Sequence, residues 1–148
     1  MKDLDKKRGI TQAVPFFMVA DMLRSLSFYL DGIGFELRNK WEPRGRIEWC
    51  WLQFDQVALM LQEYRITTFP ENRGEGVSIC FMCEDALALY HQFIDRGLSP
   101  AEPFVGNGLW VVGLTDPDGY RLIFESPTHL PEETRYADWS QLNSTKSS

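Results

Sequence analysis

The segment Val14-Pro-Phe-Phe-Met-Val19, followed by Asp21, decides the fold, because the same arrangement returns as Val77-Ser-Ile-Cys-Phe-Met-Cys83 followed by Asp85. Each apolar run has the length and composition of a β-strand. Each Asp is a good N-cap for a helix that begins directly after the strand. A strand followed by a capped helix therefore occurs twice at matching spacing, which indicates an internal repeat.

A helix is predicted after each capping residue. In the first copy, Leu23, Leu26 and Leu30 recur at intervals of three and four, as on the apolar stripe of an amphipathic helix. Gly34 in the first copy and Gly97 in the second supply the helix stops, because glycine readily adopts the left-handed conformation that ends a helix.

Each copy closes with a β-hairpin. In the first, strands over residues 46–54 and 57–63 are separated by Asp55-Gln56, the length of a tight turn. In the second, the turn is Asp116-Pro-Asp-Gly119, in which proline presets φ, aspartate bonds its own backbone and glycine accepts positive φ. The repeating unit is therefore a strand, a helix and further strands.

These elements predict an α+β fold of paired βαβββ modules, which form a cupped mixed β-sheet with the helices on its outer face. One structural domain is expected, because 148 residues leave little room for two independent cores. The predicted organisation is an N-terminal arm (1–12), a first module (13–64), a linker (65–76), a second module (77–126) and a C-terminal tail (127–148).

Composition limits the classes of binding partner and the cellular compartment that we expect for this protein. The net charge is -6, which argues against nucleic acid, because binding to phosphates needs clustered Lys and Arg. No run approaches the roughly 18 apolar residues of a membrane span. Cys50, Cys80 and Cys83 are an odd number of cysteines within hydrophobic runs, which favours free thiols and a cytoplasmic location.

Several segments together resemble one family. Ala13-Val-Pro-Phe-Phe-Met-Val-Ala-Asp21, followed by Phe28-Tyr29 and Gly34-Phe35, is similar to the opening of bleomycin-resistance and glyoxalase-type proteins. Glu84-Asp-Ala-Leu-Ala-Leu-Tyr90 resembles their second helix, and Asp116-Pro-Asp-Gly-Tyr-Arg-Leu-Ile-Phe124 their last hairpin. The chain thus resembles the vicinal-oxygen-chelate superfamily. The resemblance implies a homodimer with grooves at the subunit interface, but it does not fix the activity, because this fold hosts several chemistries.

The resemblance also locates the positions at which metal-dependent relatives carry His, Glu or Gln ligands. In this sequence they are Val14, Met60, Ser78 and Ile123. None is a credible ligand, because Val and Ile have no donor, a thioether is too soft, and Ser rarely binds as a neutral alcohol. The two histidines of the chain lie elsewhere. No metal site and no cofactor are therefore expected.

Strand parity predicts what lines the cup instead. Side chains alternate across a strand, so the four metal-equivalent positions mark the residues that face inward. The lining is predicted to be aromatic and Met-rich, with few polar groups. The candidate ligand-binding residues are Phe16, Met18, Trp49, Trp51, Met60, Met82, Arg121 and Glu125.

The first functional hypothesis is a metal-free protein that binds a small molecule and sequesters a cationic or aromatic ligand, such as an antibiotic, in the manner of bleomycin-resistance proteins. The alternative is an enzyme of the same superfamily. It is either a lyase or an isomerase with Glu125 or Glu63 as a general base, or a dioxygenase-like or other member that takes a metal from unexpected residues. A third hypothesis, a structural interaction module, predicts a solid core and no response to small molecules.

We expect purified protein to hold no stoichiometric divalent metal after dialysis, because the four metal-equivalent positions lack suitable donors. Elemental analysis of the dialysed protein measures this directly. A divalent ion retained at one equivalent per chain would contradict the ligand assignment and favour the enzyme.

Overall fold

The computed structural model describes residues 6–146, so residues 1–5 and 147–148, parts of the predicted arm and tail, lie outside the described residues. The elements follow the predicted repeat. The first module contains β1 (Phe16–Val19), α1 (Met22–Leu26), a π-helical segment (Ser27–Ile33), β2 (Glu36–Trp41), β3 (Trp49–Phe54) and β4 (Val57–Glu63). The second contains β5 (Ser78–Met82), α2 (Ala86–Asp95), β6 (Phe104–Gly106), β7 (Leu109–Thr115) and β8 (Arg121–Pro127), and α3 (Tyr136–Lys146) follows it.

The strands form two four-stranded sheets with the same internal order, β1-β4-β3-β2 and β5-β8-β7-β6. In each sheet the first strand of the module runs parallel to the last, and the other pairs are antiparallel. The α+β class and the paired βαβββ modules are therefore confirmed. The strands are divided between two sheets that are hydrogen-bonded separately.

Both predicted helix caps are present. The Asp21 carboxylate accepts from the backbone N–H of Arg24 at 3.2 Å, and the Asp85 carboxylate accepts from that of Ala88 at 3.0 Å. Each cap satisfies one of the N–H groups that the first helical turn leaves unpaired. Gly34, with a φ of 110°, ends the π-helical segment.

The buried stripe of the first helix differs from the predicted one. Leu23 is 78% exposed, whereas Met22, Tyr29 and Ile33 are buried. The helix begins at Met22, so the core-facing positions follow from that residue, and Leu23 lies about 100° further round the axis. Of the predicted stripe, Leu26 is buried and Leu30 is partly buried against the core.

The helices cover one face of each sheet. In the first module the Cys50 thiol contacts the Met22 sulfur at 3.9 Å, so Cys50 marks the helix-covered face. In the second, the Phe93 ring of α2 packs edge-on against Phe124 of β8, with centroids 5.0 Å apart. The strand residues on the same face as Cys50 in the first sheet and as Phe124 in the second are buried. Together they form one shared core.

The turn of the last hairpin fastens the second module onto the first. The Asp118 carboxylate accepts from the Ala20 backbone N–H at 2.9 Å and from the Ser25 hydroxyl at 3.3 Å. It also pairs with the Arg73 guanidinium from the linker at 2.5 Å, and its own side chain is fully buried. Three donors from other parts of the chain therefore converge on one carboxylate.

Neighbouring residues of the same turn reinforce this junction. The Tyr29 hydroxyl donates to the Asp116 carboxylate at 2.8 Å, and burial raises the pKa of that carboxyl even though donated hydrogen bonds lower it. The Tyr120 ring stacks on Phe17 with centroids 4.2 Å apart, and its hydroxyl donates to the Met18 carbonyl at 2.8 Å. Because the tyrosine hydroxyls find partners, the rings can be buried without unsatisfied groups.

The region predicted as a tail contains α3, which docks on the second sheet. Trp110 is buried on the helix-covered face, and its ring contacts Tyr136 and Trp139 with centroids 6.4 and 5.5 Å apart. Trp110 therefore does not line the predicted cup. Within residues 6–146, no helix is long and apolar enough to cross a membrane.

We expect Asp118→Ala to lower the free energy of unfolding by about 3 kcal/mol, because it leaves the largely buried Arg73 guanidinium without its partner. Chemical denaturation followed by circular dichroism measures the change. Asp95→Ala, which removes an exposed carboxylate at the end of α2, is the control and should stay within about 0.5 kcal/mol of the parent. An equal loss in both variants would contradict the role of the turn.

Candidate functional site

Each sheet has a face that the helices do not cover, and we call it the open face. The eight predicted ligand-binding residues all have the open-face parity, opposite to that of the helix-covered residues Cys50 and Phe124. These residues therefore lie on the sheet faces opposite the helices. Two open faces result, one on each sheet.

The open face of the first sheet carries a row of large apolar side chains across three strands. Phe16 of β1 pairs with Met60 of β4, and Met60 pairs with Trp51 of β3. Phe16 is 49% exposed, and none of the helices within residues 6–146 covers the row. Exposed apolar surface of this kind marks a place for a ligand or a partner.

A second row runs beside the first. Met18 pairs with Gln62, Gln62 with Trp49, and Trp49 with Trp41 of β2. Trp41 is 45% exposed and was not among the predicted residues. The pairing of β2 with β3 shifts between Leu37 and Asn39, so the residues after the shift, including Trp41, have the opposite parity to that counted from the start of the strand. No signal in the sequence reveals such an irregularity.

Polar groups fix the edge of this surface. The Trp51 indole N–H donates to the Gln53 side-chain oxygen at 3.0 Å, and the Gln53 amide donates to the Asp55 carbonyl at 2.9 Å. An open cavity of about 480 Å³ lies at the other end, where Trp41, Trp49 and neighbouring polar residues line it. The Trp51 indole is therefore held by a hydrogen bond, and the Trp41 and Trp49 rings border open space.

The open face of the second sheet is smaller and charged at its two ends. Ser78 pairs with Arg121, and Met82 pairs with Glu125, so a guanidinium and a carboxylate flank the central part of β5 and β8. Met82 is 65% exposed. This face offers an apolar strip with opposite charges at its ends.

Cys80 lies on the same face beside Glu125. Burial, followed by a hydrogen bond to Glu125 and the charge of that residue, raises the pKa of the Cys80 thiol. A raised pKa keeps the thiol protonated and lowers its nucleophilicity. Cys83 has its thiol directed to the Glu125 carbonyl at 3.4 Å, and all three cysteines are free.

The structure places the candidate residues in two groups. Five of them lie on the first open face and three, Met82, Arg121 and Glu125, lie on the second. Two cavities accompany them: the one at Trp49, and a second between the modules that Met82 borders. Neither cavity draws on both open faces, so a single cup lined by all eight residues stays a prediction.

Metal binding and general-base catalysis both depend on which carboxylates are free of other partners. Within residues 6–146, no group of three or more His, Cys, Asp or Glu side chains could hold a metal ion. Glu63 accepts from the Met22 backbone N–H at 2.8 Å and pairs with Arg46. The Glu63 carboxylate is therefore engaged by an N–H group at the start of α1. Of the two proposed bases, Glu125 is the one that lies on an open face.

The two histidines lie away from the open-face residues. His91 is on α2, where its Nε2 is 3.0 Å from the Tyr136 hydroxyl of α3. His129 follows β8 and is exposed. Neither adds a general base to the candidate site.

Comparisons with known proteins agree with this architecture. Residues 10–124 match the family model described as the Glyoxalase/Bleomycin resistance protein/Dioxygenase superfamily. No curated protein matches the chain.

Solved structures resemble the whole fold. A bleomycin resistance determinant encoded on the transposon Tn5 has a TM-score of 0.64 and 22% identity, and the match covers 82% of this chain and 100% of that one. TnmS3, an antibiotic binding protein from Streptomyces sp. CB03234, has a TM-score of 0.63 and 20% identity, with coverage of 82% and 100%. A glyoxalase/bleomycin resistance protein/dioxygenase from Nocardioides has a TM-score of 0.65 and 14% identity, with coverage of 86% and 90%.

Identities this low show a common fold and no common ligand. The match to the family model extends from before β1 into β8 and includes both repeats. The chain therefore belongs to the Glyoxalase/Bleomycin resistance protein/Dioxygenase superfamily.

Proposed function

We propose that this protein binds a cationic, partly aromatic small molecule on the open face of the first sheet, without a metal, and acts by sequestering it. The observation that carries the proposal is the pair of rows formed by Phe16, Met60 and Trp51 and by Trp49 and Trp41. Aromatic and Met side chains in this arrangement bind flat ligands by stacking and dispersion.

Charge favours a cation. A positive group over a tryptophan face gains about 0.5 to 2 kcal/mol. The net charge of -6 attracts cations at long range and mainly raises the rate of association. Two structural relatives, one named as a bleomycin resistance determinant and one as an antibiotic binding protein, support a binding role of this kind.

A homodimer is part of the proposal. Phe16 and Met82 are 49% and 65% exposed on the two open faces, and a second subunit would cover them while forming a groove around the ligand. The predicted cytoplasmic location is part of it as well, since all three cysteines are free.

The enzyme hypothesis has less support. Glu63 is engaged at the start of α1, and Glu125 neighbours a thiol whose pKa is raised. A lone carboxylate without a partner His or Lys has little means of acting as a poised base. Binding without chemistry therefore fits the described residues better.

We expect a cationic heteroaromatic, N-methylquinolinium, to quench intrinsic tryptophan fluorescence at lower concentration than the anion quinoline-4-carboxylate. The expected preference is about 2- to 30-fold, the equivalent of the cation–π gain, and it should shrink as salt is raised. A bleomycin-type glycopeptide is the third ligand. Equal or tighter binding of the anion would contradict the charge argument, and absence of quenching by all three would favour a ligandless interaction module.

Matched variants locate the ligand in the same titration. Trp51→Ala should weaken binding while costing less than the roughly 3 to 5 kcal/mol of a buried tryptophan, because Trp51 is half-buried. Trp139→Ala, on the other side of the protein, should leave binding unchanged. Arg121 and Glu125 lie on the second open face, so loss of binding in Arg121→Ala or Glu125→Ala would contradict a site on the first sheet. Loss in Arg121→Ala alone would indicate an anion bound there, since a guanidinium can pair bidentately with a carboxylate.

We expect light scattering after size-exclusion chromatography to give about twice the chain mass of 17.2 kDa at micromolar concentration. Phe16→Glu should shift the protein towards the monomer, because it adds a charge to the open face. Leu23→Glu is the control, since Leu23 is 78% exposed on α1 away from that face. A monomeric parent protein would overturn the dimer.

A further inference from the structure

A second cavity, of about 390 Å³, lies between the two modules on the helix-covered side. It is situated where the β3–β4 turn faces the start of α2. Its volume is within the range of roughly 300 to 1,000 Å³ that small-molecule sites occupy. Its apolar wall consists of Ile33, Phe35, Phe54, Phe81, Leu89 and Phe124.

The cavity results from a difference between the two repeats. In the second module, the long turn around Asp118 reaches the first module and bonds to Ala20 and Ser25. In the first module, the corresponding turn is only Asp55-Gln56, and within residues 6–146 no hydrogen bond joins it to the start of α2. The shorter turn leaves unfilled the space that the longer turn fills at the other junction.

The wall is aromatic and held in place. The Phe35 ring lies 5.5 Å from Phe54 and 6.3 Å from Phe81, and Phe81 stacks on Phe124 at 5.1 Å, between ring centroids. Phe35, Phe81 and Phe124 are almost fully buried. A preformed aromatic wall can receive a flat apolar group with little reorganisation.

The rim carries negative charge. Asp55, Glu84 and Asp85 border the cavity, and no Lys, Arg or His is among its lining residues. None of the three carboxylates forms a described salt bridge. Asp85 caps α2, so Asp55 and Glu84 are the carboxylates left to meet a ligand.

The start of α2 does not offer an anion site in compensation. The Ala86 backbone N–H donates to the Ser126 hydroxyl at 2.8 Å, and the Ala88 backbone N–H donates to Asp85 at 3.0 Å. These N–H groups would otherwise attract an anion. The rim therefore complements a cation.

We propose that this inter-module cavity binds a hydrophobic amine, with its apolar body against the phenylalanine wall and its protonated nitrogen between Asp55 and Glu84. The site is separate from the open face of the first sheet, because none of the five tryptophans lines it, and it touches the second open face only at Met82. It is therefore independent of the proposed open-face ligand, and each site can fail without the other.

The test uses 2-naphthylmethylamine, which is protonated at neutral pH, with 2-naphthylmethanol and 2-naphthoate as neutral and anionic matches. Two-dimensional ¹H–¹⁵N spectra of the full chain report where each probe binds. We expect the amine to shift the backbone resonances of Asp55, Met82 and Ala88. The affinity should follow the order amine, alcohol, carboxylate.

Two kinds of variant separate shape from charge. Ala88→Phe places a ring at the exposed lining position of α2 and should abolish binding of the amine, whereas Gln92→Phe, one turn further along the helix and outside the lining, should not. Asp55→Asn combined with Glu84→Gln should weaken binding of the amine about 3- to 10-fold, the equivalent of up to roughly 1.4 kcal/mol, and leave the alcohol unchanged. Asn tolerates the positive φ of 51° at position 55.

The outcomes are distinguishable. The proposal is supported if the amine shifts backbone resonances of the cavity residues and if these shifts disappear in Ala88→Phe. This holds whether or not tryptophan resonances also move. Shifts confined to the tryptophan indoles, absence of shifts with all three probes, or equal affinity for the amine and the carboxylate would each overturn it. If Ala88→Phe fails to fold, the charge-neutral double variant decides alone, and its unchanged affinity for the amine would overturn the proposal.

Discussion

The turn at residues 116–120 is the contact on which the arrangement of the protein depends. Its Asp118 carboxylate receives donors from β1, α1 and the linker, and its Tyr120 ring stacks on Phe17. These bonds hold the modules together on their helix-covered sides, where one core is shared. A buried carboxylate is stable only when its hydrogen-bond and ion-pair partners are present. The conformation of the turn therefore depends on the first module, and the packing of the first module depends on the turn.

The shared core determines what the rest of the surface can do. Because the helices of both modules are used for packing, the opposite faces of the sheets keep exposed aromatic and Met side chains such as Phe16 and Trp41. Within residues 6–146, no group of three or more His, Cys, Asp or Glu side chains could hold a metal ion. The open face of the first sheet presents aromatic and Met side chains instead, and the proposed binding function rests on them. The two hairpin turns differ in length. The longer turn at Asp118 joins the modules at one junction, whereas the shorter turn at Asp55 leaves a cavity at the other.

The repeat, the caps, both hairpin turns and the parity of the strands could be predicted from the sequence, because each rests on local periodicity or turn chemistry. Long-range packing could not. Trp41 was missed because no metal-equivalent position lies on β2 to fix its parity, and Leu23 was misplaced because long-range packing buries Met22, Tyr29 and Ile33 instead. Trp110 could not be oriented, since its environment is set by Tyr136 and Trp139 of α3. The residues that bond to Asp118 also lie far from it in the sequence, so local patterns could not predict them.

The central claim is that the open face of the first sheet is the ligand surface. The indole N–H resonances of the five tryptophans test it directly in ¹H–¹⁵N spectra recorded as N-methylquinolinium is added. The account predicts that the resonances of Trp41, Trp49 and Trp51 shift in a saturable manner, while those of Trp110 and Trp139, on the helix-covered side near α3, stay in place. Shifts only at Trp110 and Trp139, or at none of the five, would contradict it.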